Sequence, residues 1–168
     1  MLDKLNIFTK EVEKTGIECI SCYLDENGDC EVVYKNTPTE TEVQQIDVIK
    51  QNMPLLILKN EKLAKIDAEW DQTIAQGWDS GQGILGISAN DVALLSANFS
   101  MAKEATNLGY PIPPIITQND QEIAFSDIQS MTIFMLQYGE YRSSISKTFA
   151  ARRRAVQNAT TVEEVEVI

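Results

Sequence analysis

The sequence predicts an α+β protein dominated by helices, and three observations carry that prediction. β-forming runs flank Asn27-Gly28 near the start, long stretches repeat apolar residues at three- and four-residue steps, and a second short hairpin pattern interrupts those stretches late in the chain. The expected organisation is an N-terminal β-hairpin region over 1–36, a long helical arm over 37–77, and a C-terminal helical domain with a small hairpin over 78–168.

Residues 1–15 can be read as a short helix or an extended arm. Ile17–Leu24 and Cys30–Tyr34 then alternate in the manner of paired strands. Asn-Gly tolerates positive φ at both central positions of a type I′ turn, and that turn would set Glu26 opposite Asp29, Asp25 opposite Cys30 and Cys22 opposite Val33. The acidic loop from Asp25 to Asp29 lacks EF-hand spacing and reads as a solvated turn.

Thr37-Pro38-Thr39-Glu40 reads as a helix start, with Thr37 as the cap, Pro38 in the first position and Glu40 completing a capping box. Val43, Ile46, Ile49 and Met53 follow at helical spacing, and Pro54 predicts a break or kink near Met53. A second helix is expected from Leu55 to about Gln76. Its apolar stripe, Leu56, Leu63, Ile66, Trp70 and Ile74, is narrow and close to a coiled-coil seam. One helix buries such a stripe poorly, so these residues, with Trp78, are the candidate interface.

Gly77–Gly86 holds four glycines in ten residues and reads as a linker or domain boundary. Gly81-x-Gly83-x-x-Gly86 matches a dinucleotide fingerprint only in letters, because it follows a charged helical pattern rather than a buried strand. Ser88 with Asp91 caps the next helix, whose inward face is Val92, Leu95, Phe99, Ala102 and Ala105 and which ends near Gly109. A rigid Tyr110–Pro114 segment leads to a short hairpin of Ile115–Thr117 and Glu122–Phe125. Ser126, with Gln129, is expected to cap the last long helix, with Ile128, Met131, Met135, Tyr138, Arg142, Ile145, Phe149 and Val156 on one face. Thr160 with Glu163 starts a closing turn from Thr161 to Val167.

Composition removes several function classes. The chain of 168 residues has no histidine, so Ser-His-Asp, Cys-His and histidine-metal chemistry are excluded. A net charge of −11 repels a phosphate backbone. Arg152–Arg154 reads as helix C-terminal cations. Cys19-x-x-Cys22 could begin a zinc site, but Cys30 is the only further thiol and a structural site needs four ligands. Asp79 and Asp91 are the one acid pair near glycines and Trp78, and loop and capping roles account for both. Trp70, Trp78 and Tyr110 could stack on a sugar, though core or interface roles suit such residues better. No catalytic residue, metal or cofactor is expected. The N-terminus lacks the apolar core of a signal peptide and no run is long enough to span a bilayer, so the chain is expected to be made in a cytoplasm or packaged there into a particle.

From about Lys62 onward the order is a charged helix (KLAKIDAEWDQTIAQGW), a glycine break, the capped helix SANDVALLSANFSMAKEA, the segment PPIITQNDQEIAFS, a long helix and the closing NATTVEEVEVI. This order resembles an uncharacterised domain found near the C-terminus of many phage tail-fibre and tail-fibre-associated proteins. Its closing segment corresponds to that family's Ala-Thr-x-Glu-Glu tail, whereas Ile115 and Ile116 stand where the family usually places a tryptophan. The resemblance implies a non-catalytic bacteriophage tail structural protein of the virion, made in the host cytoplasm. It would attach to or decorate a tail fibre or baseplate as a homo- or hetero-oligomer. A tail-fibre assembly chaperone and a carbohydrate-binding fibre-tip module are the alternatives. The resemblance carries no catalytic or cofactor residue.

Overall fold

The computed structural model describes residues 4–168 and is a mainly helical α+β fold with three small antiparallel hairpins. Of the stretch 1–15, residues 1–3 lie outside the described residues and the rest is helix α1 (Lys4–Thr15), which buries Ile7, Phe8 and Val12. Strands β1 (Cys19–Leu24) and β2 (Cys30–Tyr34) pair, but the register is one residue away from the expected one: Leu24 faces Cys30 and Cys22 faces Val32. The loop is longer than a two-residue I′ turn. The Asp25 amide donates to the Asp29 carbonyl, the Gly28 amide donates to the Asp25 carbonyl, and within the loop only Gly28 has positive φ. The Asp25 carboxylate stabilises this loop by accepting from the amides of Asn27 and Asp29. A bulge between Cys19 and Ser21 keeps Cys19 and Cys22 on the packed side. No disulfide joins Cys19, Cys22 and Cys30.

Helix α2 (Glu40–Gln76) is one element of 37 residues rather than two. Pro54 lies inside it without ending it. Pro54 is exposed, so the hydrogen bond it removes is not lost in an apolar interior. The expected cap also moves. The motif Thr-x-x-Glu occurs twice, at Thr37 and at Thr39, and the second is used: the Glu42 amide donates to Thr39 Oγ1, and Glu42 Oε2 accepts from the Thr39 amide.

The glycine segment is not a linker. It folds into strands β3 (Trp78–Asp79) and β4 (Ile84–Leu85), with Leu85 and Ile87 buried. Helix α3 (Ala89–Asn107) starts at Ser88 with the full Ser88–Asp91 capping box. It ends in a Schellman motif, with the Tyr110 amide on the Ala105 carbonyl and the Gly109 amide on Thr106. Strands β5 (Ile115–Ile116) and β6 (Glu122–Ile123) form the expected late hairpin, with Asp120 at positive φ in its turn. Helix α4 (Ile128–Asn158) is capped by Asp127 rather than Ser126, since Asp127 Oδ1 accepts from the Ser130 amide. Helix α5 (Val162–Glu166) is capped by Thr161 with Glu164, one residue beyond the Thr160–Glu163 pair. Among the described residues no helix is long and apolar enough to cross a membrane.

The chain divides into two units. One is 1–65 with 152–168, the other 66–151. The sequence boundaries at 36/37 and 77/78 follow composition, whereas contacts group the chain within α2 and α4. The core of the first unit is Ile7, Phe8, Val12, Ile17, Cys30, Ile46 and Met53. In the same unit Lys59 and Lys62 donate to the carbonyls of Gln157 and Glu166. The core of the second is Leu85, Ile87, Leu95, Ala102, Ile115, Ile123, Met131, Phe134 and Tyr138.

Four turn and cap carboxylates are held below the usual carboxylate range by backbone amides: Asp25 chiefly by Asp29, Glu42 by Thr39, Asp127 by Ser130 and Glu164 by Thr160. A folded-state value below the unfolded one gives stability that is present above the unfolded pKa and is lost as pH falls through the folded one. Urea midpoints are therefore expected to be flat near neutrality and to fall below about pH 4. Combining Asp127→Asn with Glu164→Gln should flatten that acid limb, and an unchanged limb would show that these caps do not contribute to it.

Candidate functional site

Of the six candidate interface residues, Ile66 is buried and the other five are half-buried. Ile66 has no exposure. The Trp70 ring meets Phe149 edge-on at 5.3 Å. Leu56 packs on the core of the first unit, and Ile74 and Trp78 on that of the second. Leu63 is half-buried. The 3–4 spacing identifies a face that needs cover, and here the chain supplies part of it.

Trp78 is the centre of an aromatic group. Its ring lies 5.2 Å from Phe134, 5.7 Å from Tyr138 and 6.1 Å from Tyr141. The same helix, α4, donates three hydrogen bonds to the backbone of the glycine segment. The Tyr138 hydroxyl donates to the Gly86 carbonyl at 2.8 Å, the Tyr141 hydroxyl to Gly77 at 3.3 Å, and Arg142 Nε to Ile87 at 3.2 Å. Burial, and then the Asp91 carboxylate, push the Tyr138 phenol above its ordinary value, so it stays a protonated donor. Spacing flags Tyr138 and Arg142 only as members of an apolar stripe; nothing local reveals their carbonyl partners, which lie more than fifty residues away. Trp78 thus anchors the hairpin instead of offering a platform to a sugar. Tyr110 is the exposed aromatic of the three considered for stacking.

The acid pair is also occupied. Asp91 Oδ2 accepts from the Ser88 amide, and Asp79 Oδ1 from the Gly81 amide. Among the described residues no group of three or more cysteine, aspartate or glutamate side chains has metal-holding geometry. Burial raises the Cys22 thiol, which lowers its nucleophilicity near neutral pH.

A cleft of about 680 Å³ in the first unit has Cys30, Met53, Pro54 and Ile57 on its apolar side. Lysine–carboxylate pairs line the rest: Lys50–Glu31 at 2.7 Å and Lys4–Asp29 at 3.5 Å. These pairs neutralise one another, so the cleft presents no net charge to a ligand. Apolar side chains are also open on the surface. In the first unit Ile20, Tyr23 and Val33 are exposed on the hairpin. In the second, Leu94, Met101 and Leu108 are exposed along α3.

Comparison with protein-family models, with curated proteins and with solved structures finds no match to this chain.

A Cβ at Gly77 would lie 2.5 Å from the Leu85 carbonyl oxygen, and φ there is +71°, so Gly77→Ala should cost roughly 2–4 kcal/mol. Gly28 has a similar φ of +79° but open space, so Gly28→Ala should cost only about 1 kcal/mol. Equal losses in urea denaturation would refute the close-approach account. Separately, Tyr138→Phe leaves the Gly86 carbonyl without its donor, and a loss of about 1–3 kcal/mol is expected; a neutral change would mean that this bond does not hold the hairpin.

Proposed function

We propose that the chain is a non-catalytic structural component of a bacteriophage tail that acts by protein–protein contact at the fibre or baseplate. The observation that carries the contact reading is the two-sided hairpin of the first unit. Its inner side, with Cys22, Cys30, Val32 and Tyr34, packs on α1 and α2 residues. Ile20, at 69% exposure, and Tyr23, at 45%, stay open together with Val33. A two-stranded sheet whose outer apolar side chains are open lacks a layer that most β structures bury. The hairpin is favoured over the Leu56–Trp70 seam because its outer side chains are exposed, whereas those of the seam are buried or half-buried.

The tail assignment draws on the resemblance of the stretch from Lys62 onward, with its late hairpin, long capped helix and Thr161-capped closing turn. The acidity of the chain fits a protein that works away from nucleic acid.

The test is mass spectrometry of purified virions, with the wild-type chain and with Ile20→Asp/Tyr23→Ala. Wild type is expected at stoichiometric level, and the variant should be depleted from virions although its urea midpoint is unchanged. Absence of the wild-type chain from complete, fibre-bearing virions would sink the structural reading in favour of an assembly chaperone. Turnover of a substrate would sink the non-catalytic reading.

A further inference from the structure

Asn27-Gly28 is the only place in the chain where an asparagine precedes a glycine. That pair carries a reaction of its own. The backbone nitrogen of the second residue can attack the side-chain carbonyl carbon of the first, and glycine has no side chain to hinder the approach. Here Asn27 is exposed. Nothing lies within 4 Å of where a Cβ on Gly28 would stand, so the space beside the pair is open. The other asparagines precede residues with side chains. Asn52, Asn60 and Asn98 also lie inside helices, where the amide that follows is tied into the ladder.

We propose that Asn27 is a site of spontaneous deamidation, and that Asp25 governs its rate by holding both reacting groups. This inference does not rest on the tail reading.

The Gly28 nitrogen gives its proton to hydroxide and bonds to Asn27 Cγ. The Cγ–Nδ2 bond breaks, and the nitrogen leaves as ammonia after taking a proton from water. The cyclic imide then takes up one water. Opening at Cγ leaves aspartate at position 27. Opening at the main-chain carbonyl leaves isoaspartate, with the backbone now running through Cγ. One water is consumed and one ammonia is released, and no oxidant or cofactor takes part. Either product adds a carboxylate to a loop that already holds Asp25, Glu26 and Asp29.

Asp25 opposes the first step in three ways. Its carbonyl accepts the Gly28 amide at 3.0 Å, so the attacking nitrogen is engaged. Its carboxylate accepts the amides of Asn27 at 2.9 Å and Asp29 at 2.8 Å and also bonds to the Asn27 side chain, so the group under attack is held as well. Its charge disfavours a second negative charge on the neighbouring Gly28 nitrogen. Lys4 Nζ, on the Gly28 carbonyl at 2.7 Å, ties the loop to α1 from the other side. Ring closure therefore requires the loop to open. The carboxylate bonds are charge-assisted, and they are the part of this grip that one substitution removes. The backbone amides that hold the Asp25 carboxyl below the usual carboxylate range keep it charged at the neutral and alkaline pH where amide deprotonation is favoured.

The test follows the purified full chain at mildly alkaline pH by peptide mapping with mass spectrometry, and counts isoaspartate with an isoaspartyl methyltransferase. Wild type should convert at Asn27 before any other asparagine. Asp25→Ala should convert roughly three- to tenfold faster, with unchanged circular dichroism because Asp25 lies outside the core. Asp25→Asn, which keeps one acceptor oxygen and loses the charge, should fall between the two. In denaturing urea all three chains should convert at one rate, faster than folded wild type. Earlier conversion at another asparagine, or a folded wild type that stays unconverted while the unfolded chain reacts to completion, would overturn the site. Equal folded-state rates for the three chains would overturn the role of Asp25. A difference that persists in urea would do the same, because it would belong to the local sequence and not to the folded loop.

Discussion

The second unit depends on how closely the backbone of the glycine segment approaches the helices beside it. Three consecutive demands meet there. The carbonyls of Gly77, Gly86 and Ile87 each take a donor from α4, namely Tyr141, Tyr138 and Arg142. A side chain at Gly86 would occupy the space of the Asp91 carboxylate, and that carboxylate is the one that closes the cap of α3. A side chain at Gly77 would meet the Leu85 carbonyl across the hairpin. The hairpin itself has only two residues per strand, far below what makes a sheet stable alone. Its geometry is therefore imposed from α3 and α4, and Trp78 becomes an anchor because the hairpin delivers it into the Phe134–Tyr138–Tyr141 group.

This explains why the segment misleads when it is read in sequence. Glycine density is ambiguous between a flexible connection and a backbone that must pass close to something else. Only the distant donors on α4 decide between the two, and no local pattern encodes them. The same reasoning covers the caps. At α3 a single Ser-x-x-Asp offers one solution, and it is the one used. At α2 two Thr-x-x-Glu motifs overlap, and at α4 Ser126 and Asp127 are adjacent, so the chemistry is legible while the position is not. The hairpin register slipped for a similar reason. Asn-Gly announces a turn, but the Asp25 carboxylate, accepting two amides, recruits a longer loop and moves the pairs from Ser21 to Leu24 by one, and the bulge moves Cys19 by one more.

Pro54 shows the limit of a local rule in another way. Proline removes one hydrogen bond and crowds the preceding turn, which ends many helices. In α2 the helix continues for more than twenty residues past it. Residues on both sides of Pro54 are held by packing: Ile46 and Met53 before it are in the core of the first unit, and Ile49 before it and Leu56 and Ile57 after it pack, partly buried, against that core. Burial of several such side chains, each worth about 1.5–3 kcal/mol, outweighs a penalty of about 3 kcal/mol at one exposed position.

The two narrow apolar lines of this chain are the last instance of the same ambiguity, and they were legible to different degrees. Leu56–Ile74 on α2 and Leu94–Leu108 on α3 both recur at coiled-coil spacing. Its narrowness makes the first look like an interface, yet large aromatic side chains bury the most area and are readily recruited into a chain's own core. Trp70 on Phe149 and Trp78 on Phe134 follow that logic. The α3 line contains leucine, methionine and alanine without an aromatic rung, and the opposite face of the same helix, with Leu95, Phe99 and Ala102, already satisfies the core.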